Sequence, residues 1–386
     1  METNALIALT LILIAIISFS AFIISQSQSI PTSTSTTTFP PTTTLTTFTA
    51  PTTLYTSLPT NDTIQNITLN SSWIQAIPYP AKIDDLSCVS SSGYIYCIGG
   101  SLGSIGPDVN SVYFAPLASN GSIGSWTATN SYPIQMCDLS CNIYSNNIYC
   151  IGGMDLGGHD YSTVFYASIL AQGVSNWIAT TSYPIAPHNH ACRIYNGYIY
   201  CIGGRVNGTD TNLVYYAPIL SSNAIGTWLA TTPYPTTIED QACNILDGYI
   251  YCVNGYPNAP TYGIVNGINS AYYARILPSG ELGSWLATTP YPIATADHKT
   301  CAISNSSLYC TGGLGIAYTN STYYAPLTPN GIGSWSQASN HPSKLRSMSA
   351  TAYNGYLYYI GGTDWSPERN PFENVITNTI YYIKTE

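Results

Sequence analysis

Cys192-Arg193-Ile194-Tyr195-Asn196-Gly197-Tyr198-Ile199-Tyr200-Cys201-Ile202-Gly203-Gly204 reads as two short strands folded back on an Asn-Gly turn. That dipeptide is the strongest short hairpin signal, because both central residues of a type I′ turn need positive φ. Counting outward from the turn pairs Tyr195 with Tyr198, Ile194 with Ile199, Arg193 with Tyr200 and Cys192 with Cys201. A two-residue turn places the cysteine pair at a non-hydrogen-bonded site, where Cα atoms approach to roughly 4.5 Å, at the lower end of disulfide reach.

The same spacing recurs four times: Cys88 with Cys97, Cys141 with Cys150, Cys243 with Cys252, and Cys301 with Cys310. Their turns are Ser92-Gly93, Ser145-Asn146, Asp247-Gly248 and Asn305-Ser306. A sixth copy keeps Asn354-Gly355 but carries Ala350 and Tyr359 where the cysteines would stand. Both are missing together, as bonded pairs predict. Five disulfides are therefore expected, each closing a ten-residue loop and contributing roughly 2–3 kcal/mol in the chain-entropy view. The alternative is five pairs of buried thiols, which a reducing compartment would favour. The C-x-x-C spacing of zinc and redox sites is absent from these pairs. Of the 11 cysteines, Cys137 is left over.

The hairpin belongs to a longer repeat. Trp73, Trp126, Trp177, Trp228, Trp285 and Trp335 are each followed by Tyr-Pro or, once, His341-Pro342. A Gly pair comes about 20 residues later in the manner of Gly99-Gly100, with Asn254-Gly255 standing in once. An aromatic strand such as Val214–Ile219 follows. Units of about 50 residues with four β-rich runs match propeller blades. Here the sequence resembles the kelch-repeat β-propeller family, to which galactose oxidase also belongs, over residues 71 to 386. That resemblance implies an all-β, six-bladed kelch-type β-propeller. The gap from Tyr216 to Trp228 and its equivalents is longer than in typical kelch repeats, which lengthens the loop between third and fourth strands. The Trp73 run is a fourth strand with no preceding three, and the last unit has three strands and no fourth. Pairing them closes a ring and removes the exposed edges.

Upstream lie two further segments. Residues 1–26 hold Ala5 to Ser25, an uncharged run of 21 residues long enough to span a bilayer as a transmembrane helix. A cleaved signal peptide is the rival reading. Residues 27–69 read as a disordered stalk: from Ser27 to Thr60, 20 of 34 residues are Ser or Thr and five are Pro. The third segment, 70–386, is the expected propeller. Asn-x-Ser/Thr sequons at Asn61, Asn66, Asn70, Asn120, Asn207, Asn305 and Asn320 agree with export and are glycosylation candidates. Only 7% of residues are charged, and the net charge is −9. With no basic stripe, nucleic acid is excluded as a partner. The expected place is the outer face of the cell membrane, or the medium if the segment is cleaved.

Aligned on the first cysteine, the positions four and three residues before it read Asp84-Asp85, Cys137-Asp138, His188-Asn189, Glu239-Asp240, Asp297-His298 and Arg346-Ser347. Eight of these twelve are Asp, Glu or His, types that fill only 23 of 386 positions. Strand order would set them around the channel mouth, beside the loops that follow the Gly pairs. One reading is a ligand or cation site, since carboxylates suit calcium and mixed sets suit other divalent cations. The other is a set of short solvated turns, or turns that hydrogen-bond backbone between neighbouring repeats. Cys137 beside carboxylates is a poor nucleophile. Neither the Asp-box of sialidases nor an assignable copper set is present. Tyr161, Tyr256, Tyr262, Tyr318 and Trp365 follow Gly pairs and are expected as exposed anchors for sugars or protein. Two functions remain: a cell-surface recognition module for protein or glycan, or an extracellular metal-assisted enzyme acting on a carbohydrate-like substrate.

Overall fold

The computed structural model describes residues 72–103, 106–257, 267–296, 300–315, 317–364 and 375–385. Among them all regular structure is antiparallel β. Six sheets of four principal strands follow one another, numbered 1 to 6 by their first strands: Ser87–Ser91, Ser140–Tyr144, Ala191–Tyr195, Ala242–Leu246, Cys301–Ser304 and Ser349–Tyr353. In sheet 3 the order is Ala191–Tyr195, Tyr198–Ile202, Val214–Pro218, Leu229–Ala230. Each first strand lies beside the first strand of the next sheet, and that of sheet 6 lies beside that of sheet 1.

The register is the one the turn dictates. Cys192 faces Cys201 and Tyr195 faces Tyr198. All five expected cysteine pairs are disulfides. Cys88 is bonded to Cys97, Cys141 to Cys150, Cys192 to Cys201, Cys243 to Cys252 and Cys301 to Cys310, with Cα atoms 4.1–4.2 Å apart. The alternative of paired buried thiols therefore falls. The second cysteines, Cys97, Cys150, Cys201, Cys252 and Cys310, are buried in the second strands, so each staple lies inside the packed sheet stack. In sheet 6 Ala350 faces Tyr359 at the same place. The fourth strand of that sheet comes from the other end of the chain: Ile74–Gln75 pairs with Ile380–Lys384.

Two repeated contacts tie one sheet to the next. The first explains the Gly pairs. The amide of the second residue in each donates to a carbonyl just before the next first strand: Gly100 to Met136 at 2.9 Å, Gly204 to Ile238 at 2.8 Å, and finally Gly362 to Ile83 at 2.8 Å. At the first residue a Cβ would come within 2.7 Å of the Met136 carbonyl beside Gly99, and within 2.4 Å of the Ile83 carbonyl beside Gly361. All these glycines also have positive φ, so both space and conformation exclude a side chain. Asn254, at φ 63°, is the non-Gly residue that takes the same conformation.

The second contact explains the Trp and Tyr-Pro signals. The segment leaving one sheet's outer strand crosses the next sheet, where its tyrosine packs edge-on against that sheet's tryptophan. Tyr79–Trp126, Tyr132–Trp177, Tyr183–Trp228, Tyr234–Trp285 and Tyr291–Trp335 have ring centroids 4.8–5.0 Å apart. At the closing sheet the pair is His341–Trp73, at 4.9 Å. Several indole N–H groups also hold the crossing segment, as Trp228 donates to Thr181 and Trp73 to Ser339. Beneath these clamps lie cores of Ile, Val, Cys and Tyr side chains shared between adjoining sheets, such as Tyr149, Ile151, Tyr183, Ile199 and Cys201.

The lengthened loops of sheets 2 and 5 fold as small hairpins whose amides reach the preceding crossing segment: Val174 donates to the Thr129 hydroxyl and Ile332 to that of Thr288. The hydrophobic segment Ala5–Ser25, the Ser/Thr-rich stretch and the sequons at Asn61, Asn66 and Asn70 lie outside the described residues. Among the described residues no helix is long and apolar enough to cross a membrane.

Candidate functional site

The residues four places before the first cysteines pair by backbone with the residues after the Gly pairs: Asp84 with Ser101, Cys137 with Met154, His188 with Arg205, Glu239 with Tyr256, Arg346 with Thr363. Both loop sets therefore share one face, as strand order requires. The next residues, Asp85, Asp138, Asn189, Asp240 and Ser347, all have φ between 52° and 57°. Asp and Asn tolerate that left-handed conformation best among residues with side chains. Their amides link neighbouring repeats: Asp85 donates to Ser347, Asp138 to Asp85, and Asp240 to Asn189, at 3.0–3.1 Å. Part of the acidic signal is thus backbone geometry. Asp297 and His298 lie outside the described residues.

The mouth has two unlike halves. Over sheets 3 and 4 the charged side chains bond to one another. His188 Nδ1 lies 2.7 Å from Asp160, whose other oxygen accepts from the Asn207 amide. Arg205 meets Glu239 at 2.9 Å and Asp210 at 3.4 Å, and Asn189 donates to the second Glu239 oxygen. Burial, with Asp240 and Asp210 close by, still pushes the Glu239 carboxyl up, against the pull of Arg205 and Asn189. These residues form one network of ion pairs and hydrogen bonds.

Over sheets 6, 1 and 2 the carboxylates border an open space. A cleft of about 320 Å³ is lined by Asp84, Asp85, Asp108, Asp138, Asp155 and Arg346, among others. Asp84 accepts from the Thr363 hydroxyl. Cys137 is buried, with its Sγ 3.6 Å from Asp138. The Asp108 carboxyl is raised by burial, and further by Asp155 and Asp84, so these carboxylates feel one another; hydrogen bonds from Ser101 and Cys137 pull the other way. Asp155, by contrast, is lowered, first by the amide of His159. Asp108 and Asp155 were not among the sequence candidates. They sit in the loops after the Gly pairs, whose lengths vary and which no alignment on cysteine reaches.

Among the described residues no group of three donor side chains close enough to share a metal lies in this cleft. Among the described residues, the one group of three donor side chains drawn within 4.8 Å of one another is His190, Cys192 and Cys201. Its two sulfurs are joined in a disulfide and are not thiolates. The aromatic expectation needs correcting. Tyr256 and Tyr318 are buried: Tyr256 donates its hydroxyl to the Leu314 carbonyl, and Tyr318 lies under the Arg346 guanidinium. Both are covered by the next repeat, which supplies Leu314 to Tyr256 and Arg346 to Tyr318. Tyr161 is half-buried and donates to Asp155. Tyr262 and Trp365 lie outside the described residues.

No protein-family model matches the chain. Among curated proteins it is similar to the horsepox virus protein "Kelch repeat and BTB domain-containing protein 1", 29% identical over 168 residues, which cover 41% of this chain and 26% of that protein. It is also similar to "Kelch-like protein 41a" of Danio rerio, 27% identical over 89 residues, covering 22% and 14%. The matched part spans about a quarter or less of either relative. Among solved structures, one titled "Structure of YjhT" superposes with a TM-score of 0.61 over 79% of this chain and 95% of that one, at 14% identity. The fold is a kelch-like β-propeller. Its five disulfides are consistent with an oxidising, extracellular or secreted setting.

Proposed function

We propose that the chain is a non-catalytic recognition propeller, held outside the cell, whose acidic cleft receives a basic group of a partner protein. The observation that carries this reading is the contrast at the mouth. Five carboxylates and one guanidinium line one open cleft, while over sheets 3 and 4 Asp160, Asp210 and Glu239 are tied to His188 and Arg205. A carboxylate-lined concavity attracts a lysine or arginine side chain and steers its approach. The kelch-like relatives support an interaction module in preference to an enzyme. The burial of Tyr256 and Tyr318 removes two platforms on which a sugar would stack, which favours protein over glycan.

The rest of the reading follows the chain. Six sheets count as six blades of one propeller over 70–386, with the Trp73 strand closing the last. Residues 27–69 serve as a stalk and 1–26 as an anchor or a cleaved signal segment. Asn120 and Asn207 are exposed in turns and suit glycans. Asn320 donates its side-chain amide to the His341 carbonyl, and Asn305 donates to Thr385, so both are poorer acceptors.

The test is binding of the full chain to an array of lysine- and arginine-containing peptides, compared with Asp85→Asn/Asp138→Asn/Asp155→Asn. Asn keeps the left-handed conformation at the first two positions. Peptide binding that weakens with salt and disappears in the triple variant supports the reading. Binding confined to a glycan array, or peptide binding indifferent to the triple change, overturns it.

A further inference from the structure

A second cavity, of about 290 Å³, runs along the axis between the first strands of all six sheets. Its lining includes Val89, Asn142, Arg193, Asn244, Ala302 and Thr351, each one residue after the first cysteine position. No Asp or Glu lines it. Arg193 is the one lysine or arginine there. Its Nη1 donates to the Cys192 carbonyl at 2.7 Å, and among the described residues no carboxylate forms an ion pair with it. Desolvation inside the channel lowers the guanidinium to about 10, so it keeps its charge at neutral pH. A charge removed from bulk water without a counter-charge is strongly unfavourable, and neighbouring dipoles offset it only in part.

The backbone around it adds donors. In the first strands the cysteine amide seeks a hydroxyl from the preceding sheet: Cys88 donates to Ser349, Cys141 to Ser87, and Cys192 to Ser140, at 2.8–3.1 Å. At the same place sheets 3 and 4 carry Ala191 and Ala242, which have no hydroxyl for the amides of Cys243 and Cys301. The carboxamides of Asn142 and Asn244 donate to the carbonyls of Cys192 and Cys301, so those acceptors are already used. This sector of the channel therefore lacks the hydroxyl acceptors that the amides of Cys88, Cys141 and Cys192 have. It begins in the same sheet as Arg193.

We propose that the axial channel binds a small monovalent anion, a free halide or the carboxylate of a small ligand, at the guanidinium of Arg193. The acidic cleft disfavours entry from its own face. The opposite rim is formed by the hairpin turns, where Asp247 is the one acid among Ser92-Gly93, Ser145-Asn146, Asn196-Gly197, Asp247-Gly248, Asn305-Ser306 and Asn354-Gly355. An anion would enter there. This site is independent of the acidic cleft and does not rest on the function proposed for it.

The experiment measures thermal unfolding of the full chain in sodium chloride, bromide, formate and gluconate at constant ionic strength, with bromide soaked into crystals for anomalous scattering. Chloride and bromide should raise the melting temperature by about 2–4 °C over the bulky gluconate, as saturation of a native-state site predicts. An anomalous peak should sit beside Arg193. A larger rise with formate than with chloride assigns the site to a ligand carboxylate, and the reverse to a free halide. Arg193→Gln should abolish the anion dependence. Should that variant fail to fold, the wild-type salt series and the bromide map decide alone. Equal melting in all four salts with no bromide at Arg193 overturns the proposal.

Discussion

Five of the six sheets are fastened in one way and the closing sheet in another. In sheet 3 a buried tyrosine, Tyr183, lies against Trp228 and reaches the carbonyl of Cys201, whose disulfide holds the inner hairpin. Sheet 5 repeats the arrangement, with Tyr291 against Trp335 and donating to the carbonyl of Cys310. In sheet 6 the clamp residue is His341, the staple is absent, and Tyr359 fills the place of a cysteine. Tyr359 packs 5.4 Å from Trp73 and 6.1 Å from His341, and it is 1% exposed. The three changes belong together. A smaller clamp ring leaves room for a larger strand residue, and that residue occupies the place of the disulfide. The join between the two ends of the chain is thus made by packing and hydrogen bonds alone.

The largest effect should come from emptying an interior clamp. Tyr183→Ala removes a buried aromatic from between sheets 2 and 3 and should destabilise by about 3–5 kcal/mol. His341→Ala removes a smaller ring and should destabilise by less. Chemical denaturation of both variants orders the two. If His341→Ala proves the more damaging, closure rather than clamp volume governs stability.

Next comes pH. Burial holds the His341 imidazole at about 4, below its ordinary 6.5, with the Ser343 carbonyl pulling slightly upward. The native state keeps the ring neutral while the unfolded chain protonates it. Stability from this group is complete above pH 6.5 and is lost as pH falls from there towards 4. The loss amounts to about 3 kcal/mol. Tyrosine clamps do not titrate in this range. Stability curves between pH 7 and 4 for wild type and His341→Phe should therefore diverge, the variant losing less. Parallel curves would show that His341 is not the sensitive group.

What the sequence makes legible follows from what fixes it. The hairpin register is local, set by Asn196-Gly197 and its relatives, so Cys192 opposite Cys201 can be read directly. The shared closing sheet follows from counting strands. The site is different. Asp85, Asp138 and Asp240 look like ligands in a string of letters, yet their left-handed backbone is a turn requirement visible only in three dimensions. His188 and Glu239 are taken up by Asp160 and Arg205, which no repeat spacing sets beside them. The loops after the Gly pairs deliver Asp108 and Asp155 to the open cleft, where no repeat spacing points. Tyr183 and Trp228 recur plainly in sequence, 45 residues apart, but nothing local says that the two rings meet.

The smallest net effect, and the sharpest test of the comparison, is to convert the closing sheet to the pattern of the others. Ala350→Cys/Tyr359→Cys would install the missing staple, worth roughly 2–3 kcal/mol. It would also delete a buried tyrosine at about 3–5 kcal/mol. The second term is larger, so the double variant should be less stable than wild type by about 1–2 kcal/mol even when mass mapping shows the disulfide formed. Adding His341→Tyr refills the space that Tyr359 vacated and restores the arrangement seen around Tyr183. The triple variant should return to within about 1 kcal/mol of wild type, while His341→Tyr alone, forced against an intact Tyr359, should destabilise by about 1–3 kcal/mol through overpacking. Such a sign change between contexts is the mark of residues that share one space. Additive behaviour across the cycle would mean that the clamp and the staple position are independent, and that the closing sheet differs from the rest by three unrelated substitutions.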